Sequence, residues 1–148
     1  MTGRIGRFEI RRELGRGAQS VVHLAWDPQL EREVALKTLH LTAAERRDSA
    51  DLLGEARSVS RLRHAGIVPV FEAGEEAGDP YLVFEYVEGE TLAALMRRRG
   101  ALPAAEAVTL MLGVLTALAE AHGQGVIHRD LKPSNVLIDK GGRPRVMD

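Results

Sequence analysis

The pattern of apolar residues changes period near Gly89. Before it, short runs alternate or are rich in β-branched residues; after it, apolar residues recur at helical spacing. Such a chain is expected to fold as α+β, a strand-rich unit (8–88) followed by a helical one (89–148). Five strands are expected in the first: "FEIRRELG" (8–15), "SVVHLAW" (20–26), "EREVALKTL" (31–39), "IVPVFEAG" (67–74) and "PYLVFEYV" (80–87). Short links marked by glycine or proline suggest that the first three form an antiparallel meander. A helix is expected over 42–63, with Thr42 as cap and Glu45 completing a capping box. Two more are expected over 91–99 and 103–122, the second opened by Pro103 and closed by Gly123. In that second helix Val108, Met111, Leu115 and Leu118 recur at helical spacing, which predicts a mostly buried element. Gly113 inside it costs up to about 1 kcal/mol against alanine. A loop, a strand "NVLID", a turn at Gly141-Gly142 and a strand start "RPRVMD" complete the chain.

Bulk properties narrow the classes of function. The 148 residues suffice for one sizeable core or two small ones. A net charge of -1 gives no global field to attract nucleic acid or an anionic membrane, so neither is expected as a partner. The lack of cysteine excludes disulfides and thiolate metal sites. No apolar run reaches the roughly 20 residues that span a bilayer. "MTGRIGRFEI" lacks the apolar core of a signal peptide, so a cytoplasmic location is expected, whatever anchor a longer parent carries. The basic runs 61–64 and 97–99 lie beside helical patterns and read as solvated faces.

Three constellations carry chemistry. Gly15 and Gly17 lie between two strands, where bare backbone amides cradle phosphate oxygens in some proteins and simply turn a hairpin in others. No helix follows them, which argues against dinucleotide and P-loop sites. Lys37 shares a strand face with Ala35, while Val34 and Leu36 take the other. An edge-strand lysine explains this as well as a functional one does. Leu52, Val59 and Leu62 form the apolar stripe of the first helix, and Glu55 falls within it by angle. A carboxylate there seeks a cation, for which Lys37 is the nearest candidate, or else snorkels to solvent. The strongest signal is "HRDLKPSN": Asp130, Lys132 and Asn135, followed after a hairpin by Asp148. Singly these are turn residues; together they are able to orient a hydroxyl, meet phosphate charge and ligate magnesium.

At these residues the sequence resembles the eukaryotic-like serine/threonine protein kinases, most closely the bacterial ones. "LGRGAQSVV" is similar to the phosphate-covering loop, with Gly15, Gly17 and Val22 in place and Ser20 where a third glycine is usual. "VALK" supplies Ala35 and Lys37, and "GEARSVSRLRHAGIV" resembles the helix that pairs Glu55 with that lysine. "YLVFEYVEGETL" resembles the last small-lobe strand and hinge, which implies Phe84 as gatekeeper and backbone contacts to adenine from Glu85 to Val87. "VIHRDLKPSNVLID" matches the catalytic loop, implying Asp130 as base and Asn135 as a magnesium ligand. Lys132 implies serine/threonine substrates, and Arg129 implies control by activation-loop phosphorylation.

The resemblance covers Phe8 to Asp148 and stops at the aspartate of the aspartate-phenylalanine-glycine motif. It implies a five-stranded small lobe with its helix plus the start of a large lobe. It implies ATP with magnesium, or manganese in its place, and a protein substrate bearing serine or threonine. Lys37, held by Glu55, would pair with the phosphates, and Asn135 and Asp148 would hold the metal; Val22 and Ala35 would cover adenine from above and Leu137 from below. One strand face touching both adenine and phosphate accounts for Ala35 beside Lys37. The isolated piece is expected to be inactive and to self-associate through an incomplete large lobe. The rival reading is a non-catalytic nucleotide- or protein-binding module; small-molecule phosphotransfer ranks below both, because Lys132-Pro133 is unusual there.

Overall fold

The computed structural model describes residues 3–17, 19–42, 56–126 and 131–147. The chain divides into two compact units, Met1–Ser60 with Val70–Tyr86, and Arg61–Pro69 with Val87–Asp148.

The first unit is an antiparallel sheet of β1 (Arg4–Ile5), β2 (Phe8–Arg16), β3 (Ser20–Asp27), β4 (Arg32–Leu39), β5 (Val70–Glu76) and β6 (Asp79–Glu85), in the order β1-β2-β3-β4-β6-β5. All five expected strands are present, and the meander gains a two-residue strand at its start. Pro69 precedes β5, so "IVPVFEAG" contributes a strand only from Val70 on. Ala77 and Gly78, both at positive φ (52° and 85°), turn the β5–β6 hairpin in the manner of a type I′ loop. Of the helix expected over 42–63, residues 56–60 are helical, ending at Ser60 rather than Arg63. Leu62 beyond it is buried, and the capping box at Glu45 lies outside the described residues.

One face of this sheet closes over a small core of Phe8, Ala25, Val34, Leu36, Tyr81 and Val83. Side chains close it further by bridging the two sheet edges. The Gly6 amide donates to Glu76 Oε2 (3.1 Å). The Arg7 guanidinium donates to both oxygens of Glu72 (3.0 and 2.9 Å) and both of Asp27 (3.1 and 3.2 Å). Asp27 is 1% exposed. The Tyr81 ring lies against Gly74, where an added Cβ would come within 2.5 Å of it. Gly74→Ala is therefore expected to cost about 1–3 kcal/mol, as overpacking does. Urea titration should show a lower midpoint at unchanged slope; an unmoved midpoint would show that Tyr81 has room to yield.

The second unit contains β7 (Gly89–Thr91), α1 (Leu92–Arg99), α2 (Ala104–Gly123), β8 (Val136–Asp139) and β9 (Pro144–Val146), with a sheet ordered β7-β8-β9. Thr91 caps α1 by accepting from the Ala94 amide (3.0 Å), and Gly100 ends it at φ 74°. Arg97, Arg98 and Arg99 complement the negative end of the helix dipole. Arg98 also pairs with Glu90 and Arg99 with Glu106, so the basic run is solvated but not idle. The β8–β9 turn is held by Asp139 Oδ1, which accepts from the Gly141 and Arg143 amides (both 2.9 Å).

Helix α2 corrects an expectation. Its buried residues are Leu110, Val114, Ala117 and Ala121, not the stripe read from the sequence. Val108, Met111 and Leu115 are 57%, 46% and 55% exposed, and Leu118 is half-buried. An almost uniformly apolar helix has no unique stripe, and small alanines pack closer than the larger residues that catch the eye. The helix is also long and apolar enough, by length and composition alone, to cross a membrane (20 residues, hydropathy 1.5), contrary to the expectation that no segment would be. That test is met equally by core helices, and α2 packs against β9 of its own unit.

Candidate functional site

Register decides which side chains share a face. Residues directly opposite in an antiparallel pair lie on the same side of the sheet. Gly15 lies opposite Val22, Val22 opposite Lys37, and Lys37 opposite Leu82. Ala35 lies opposite Leu24 and Phe84. Gly15, Val22, Ala35, Lys37 and Phe84 therefore occupy one face, and the core residues Ala25, Val34, Leu36, Tyr81 and Val83 the other. Leu24 and Leu82 belong to the same face; period two, counted from Val22 and Phe84, could have found them.

The face is graded. Phe84 and Ala35 are 1% and 7% exposed, Val22 and Lys37 are half-buried, and Gly15 is exposed. It runs from a dry apolar wall through an ammonium to bare backbone. Ala35 and Lys37 are about 7 Å apart along the strand, two residues of extended chain. Neither Gly15 nor Gly17 has a positive φ, and a Cβ on Gly15 would meet nothing within 4 Å. The fold thus places no demand on Gly15 for conformation or packing. Gly17 donates its amide to the Ser20 carbonyl (2.8 Å), and Ser20 Oγ would be 3.1 Å from a Cβ there. Ser20 in turn lies opposite Leu39.

In the second unit, Lys132 precedes a 3-10 turn, Pro133–Asn135, whose Asn135 amide donates to the Lys132 carbonyl (2.9 Å). The Met147 amide donates to the Asn135 carbonyl (2.9 Å), joining this turn to the chain just after β9. Leu137 is half-buried and lies opposite Thr91 and Arg145, on the sheet face away from buried Val136 and Ile138. Val87 is buried, and Glu85 ends β6. Glu55, Asp130 and Asp148 lie outside the described residues. Among the described residues no cluster of three histidine or carboxylate side chains is placed to hold a metal. Asn135 offers an amide oxygen and Asp148 a carboxylate, the hard oxygen donors that magnesium prefers in small number beside phosphate oxygens.

A curled antiparallel sheet, then a unit opening with two helices and a small hairpin sheet, is the architecture of a protein kinase small lobe and the start of its large lobe. A family model described as Protein kinase domain matches residues 8–148, and the chain belongs to that family. It is 42% identical to the serine/threonine-protein kinase PksC of Streptomyces coelicolor, over 97% of this chain and 27% of that protein. It is 41% identical to the serine/threonine-protein kinase PrkC of Bacillus subtilis, over 97% of this chain and 22% of that protein. With PknL of Mycobacterium bovis the identity is 36%, over 96% of this chain and 36% of that protein. The chain thus spans between 22% and 36% of the length of these relatives, and it is of the bacterial serine/threonine kinase type.

Proposed function

We propose that the intact protein transfers the γ-phosphoryl group of ATP to serine or threonine hydroxyls of a protein substrate. The observation that carries this reading is the sheet face opposite the core, where an apolar wall, a lysine and an unencumbered glycine follow one another in register. Phe84, Ala35 and Val22 would bind adenine, with Glu85 to Val87 giving it backbone groups. Lys37, paired with Glu55, would neutralise phosphate charge, and the amides from Gly15 to Ser20 would cover it. Asn135 and Asp148 would hold magnesium or manganese, which when bound neutralises charge on the transferring group. Asp130 would accept the hydroxyl proton, and Lys132 would steady the group in transit. Catalysis of this kind rests on positioning and preorganised charge. The carboxylate, lysine and asparagine of the loop favour this over a purely binding module.

The test is transfer of labelled γ-phosphate from ATP to serine- and threonine-containing peptides by the intact protein; label on neither residue would overturn the reading. Gly15 offers a sharper probe. Gly15→Ala is expected to leave stability unchanged or raise it by about 0.4–1 kcal/mol through the unfolded state. ATP affinity should nevertheless fall several-fold, because the new methyl stands where phosphate must approach. A thermal melt and an ATP-analogue titration separate the two effects, and undiminished affinity would remove Gly15 from the site.

A further inference from the structure

Two segments of the second unit meet on two small residues of α2. At Gly113, an added Cβ would come within 2.6 Å of Pro144 Cγ and 3.2 Å of its Cδ, at the start of β9. One helical turn on, Ala117 lies against Gly66, where an added Cβ would meet the Ala117 methyl at 3.1 Å. Gly66 and β9 are themselves joined. The Val146 amide donates to the Gly66 carbonyl (2.7 Å), and the Val68 amide to the Val146 carbonyl (2.8 Å), with a parallel bridge between Ile67 and Val146. The strand is thus fixed from the helix side at Pro144 and from the loop side at Val146. Its next residue is Met147, whose amide holds the Asn135 carbonyl (2.9 Å), and the residue after that is Asp148.

We propose that Gly113 and Gly66 are positioning residues for metal binding: their missing side chains set where β9 lies against α2, and β9 sets Asn135 through Met147. This rests on the reading of Asn135 as a metal ligand. It also explains why a helix interior tolerates a glycine that costs about 1 kcal/mol against alanine in propensity. Groups behind a ligand commonly govern metal affinity by about 10–100-fold, because they fix its orientation.

The experiment measures manganese(II) binding to the intact protein saturated with a non-hydrolysable ATP analogue, by electron paramagnetic resonance, so that no turnover is needed. Asn135→Ala tests the underlying reading: it should weaken manganese binding, and unchanged affinity would sink that reading and this proposal with it. Given that loss, Gly113→Ala should weaken manganese about 10-fold, at the low end of such effects. Pro144→Ala removes both atoms the new methyl would strike, so Gly113→Ala with Pro144→Ala should restore affinity to within about twofold of the Pro144→Ala protein. Gly66→Ala, acting from the loop side, should weaken manganese in the same direction, and it carries the test if Gly113→Ala does not fold. Variants that melt lower yet bind manganese as the parent does would overturn the proposal while leaving the role of Asn135 intact.

Discussion

Replacing Asp130 by asparagine in the intact protein is expected to lower turnover by about 10²–10⁴-fold, the usual contribution of a general base. ATP affinity should hardly change. The carboxylate is proposed to act on the incoming hydroxyl, and an interaction made only in the transition state shows in kcat rather than in binding. Asparagine keeps size and hydrogen-bonding shape, so the loop should survive. Its described part is fixed by backbone, with Asn135 bonded to Lys132 and Met147 bonded to Asn135. Initial rates with labelled ATP, set beside an analogue titration, make the measurement. Turnover comparable to that of the unmodified protein would strip Asp130 of its role.

The largest stability effect is expected at Arg7. Its guanidinium holds two carboxylates from separate parts of the sheet, Asp27 at the end of β3 and Glu72 on β5. Asp27 is 1% exposed, and Arg7→Met would leave that charge, among the described residues, with the Gln29 and Leu30 amides (2.9 and 3.3 Å). Stripping a buried ion pair of one partner costs about 3–5 kcal/mol. Arg7 is itself 34% exposed, so solvent screens part of the loss and about 3 kcal/mol is expected. The same geometry fixes a pH dependence. The Arg7 hydrogen bonds hold the Asp27 carboxyl below the ordinary aspartate value of 3.8, outweighing the upward push of burial, and the two amides add to the lowering. A carboxyl lowered on folding stabilises fully above its unfolded value and loses that contribution as pH falls through the folded one. The gap in unfolding free energy between the parent and Arg7→Met should therefore be constant near neutrality and close only in acid, below about pH 4. A gap that persisted unchanged to the lowest pH reached would mean that Asp27 is not what Arg7 stabilises.

Residues were legible in the sequence where local rules decide. Alternation located Ala35 and Lys37 on one face and Val34 and Leu36 on the other, and the register agrees. Turn chemistry located the hairpin after Asp139, where Gly142 has φ 78°. What escaped was decided by partners far along the chain. Arg7 and Glu72 are 65 residues apart, and nothing near either announces the other. The buried face of α2 was misread because the choice among its apolar stripes belongs to Pro144 and Gly66, not to the helix. Gly113 was noted as a cost; its reason is a proline ring 31 positions later. Ile67 and Val68 looked like the start of β5, yet they bond to β9, because Pro69 separates them from the strand that follows.

That last pairing has a bearing on how the polypeptide can be dissected. The chain leaves the first unit after Ser60, returns at Val70 and leaves again after Tyr86. No single cut separates the two. A truncation ending at Tyr86 would keep Leu62, Ile67 and Val68, now buried to 5%, 7% and 1% exposure, but discard the strand to which Val68 bonds. Each large apolar side chain so stranded forfeits about 1.5–3 kcal/mol of burial. A fragment cut after Tyr86 inherits a sticky loop that the undivided chain keeps covered.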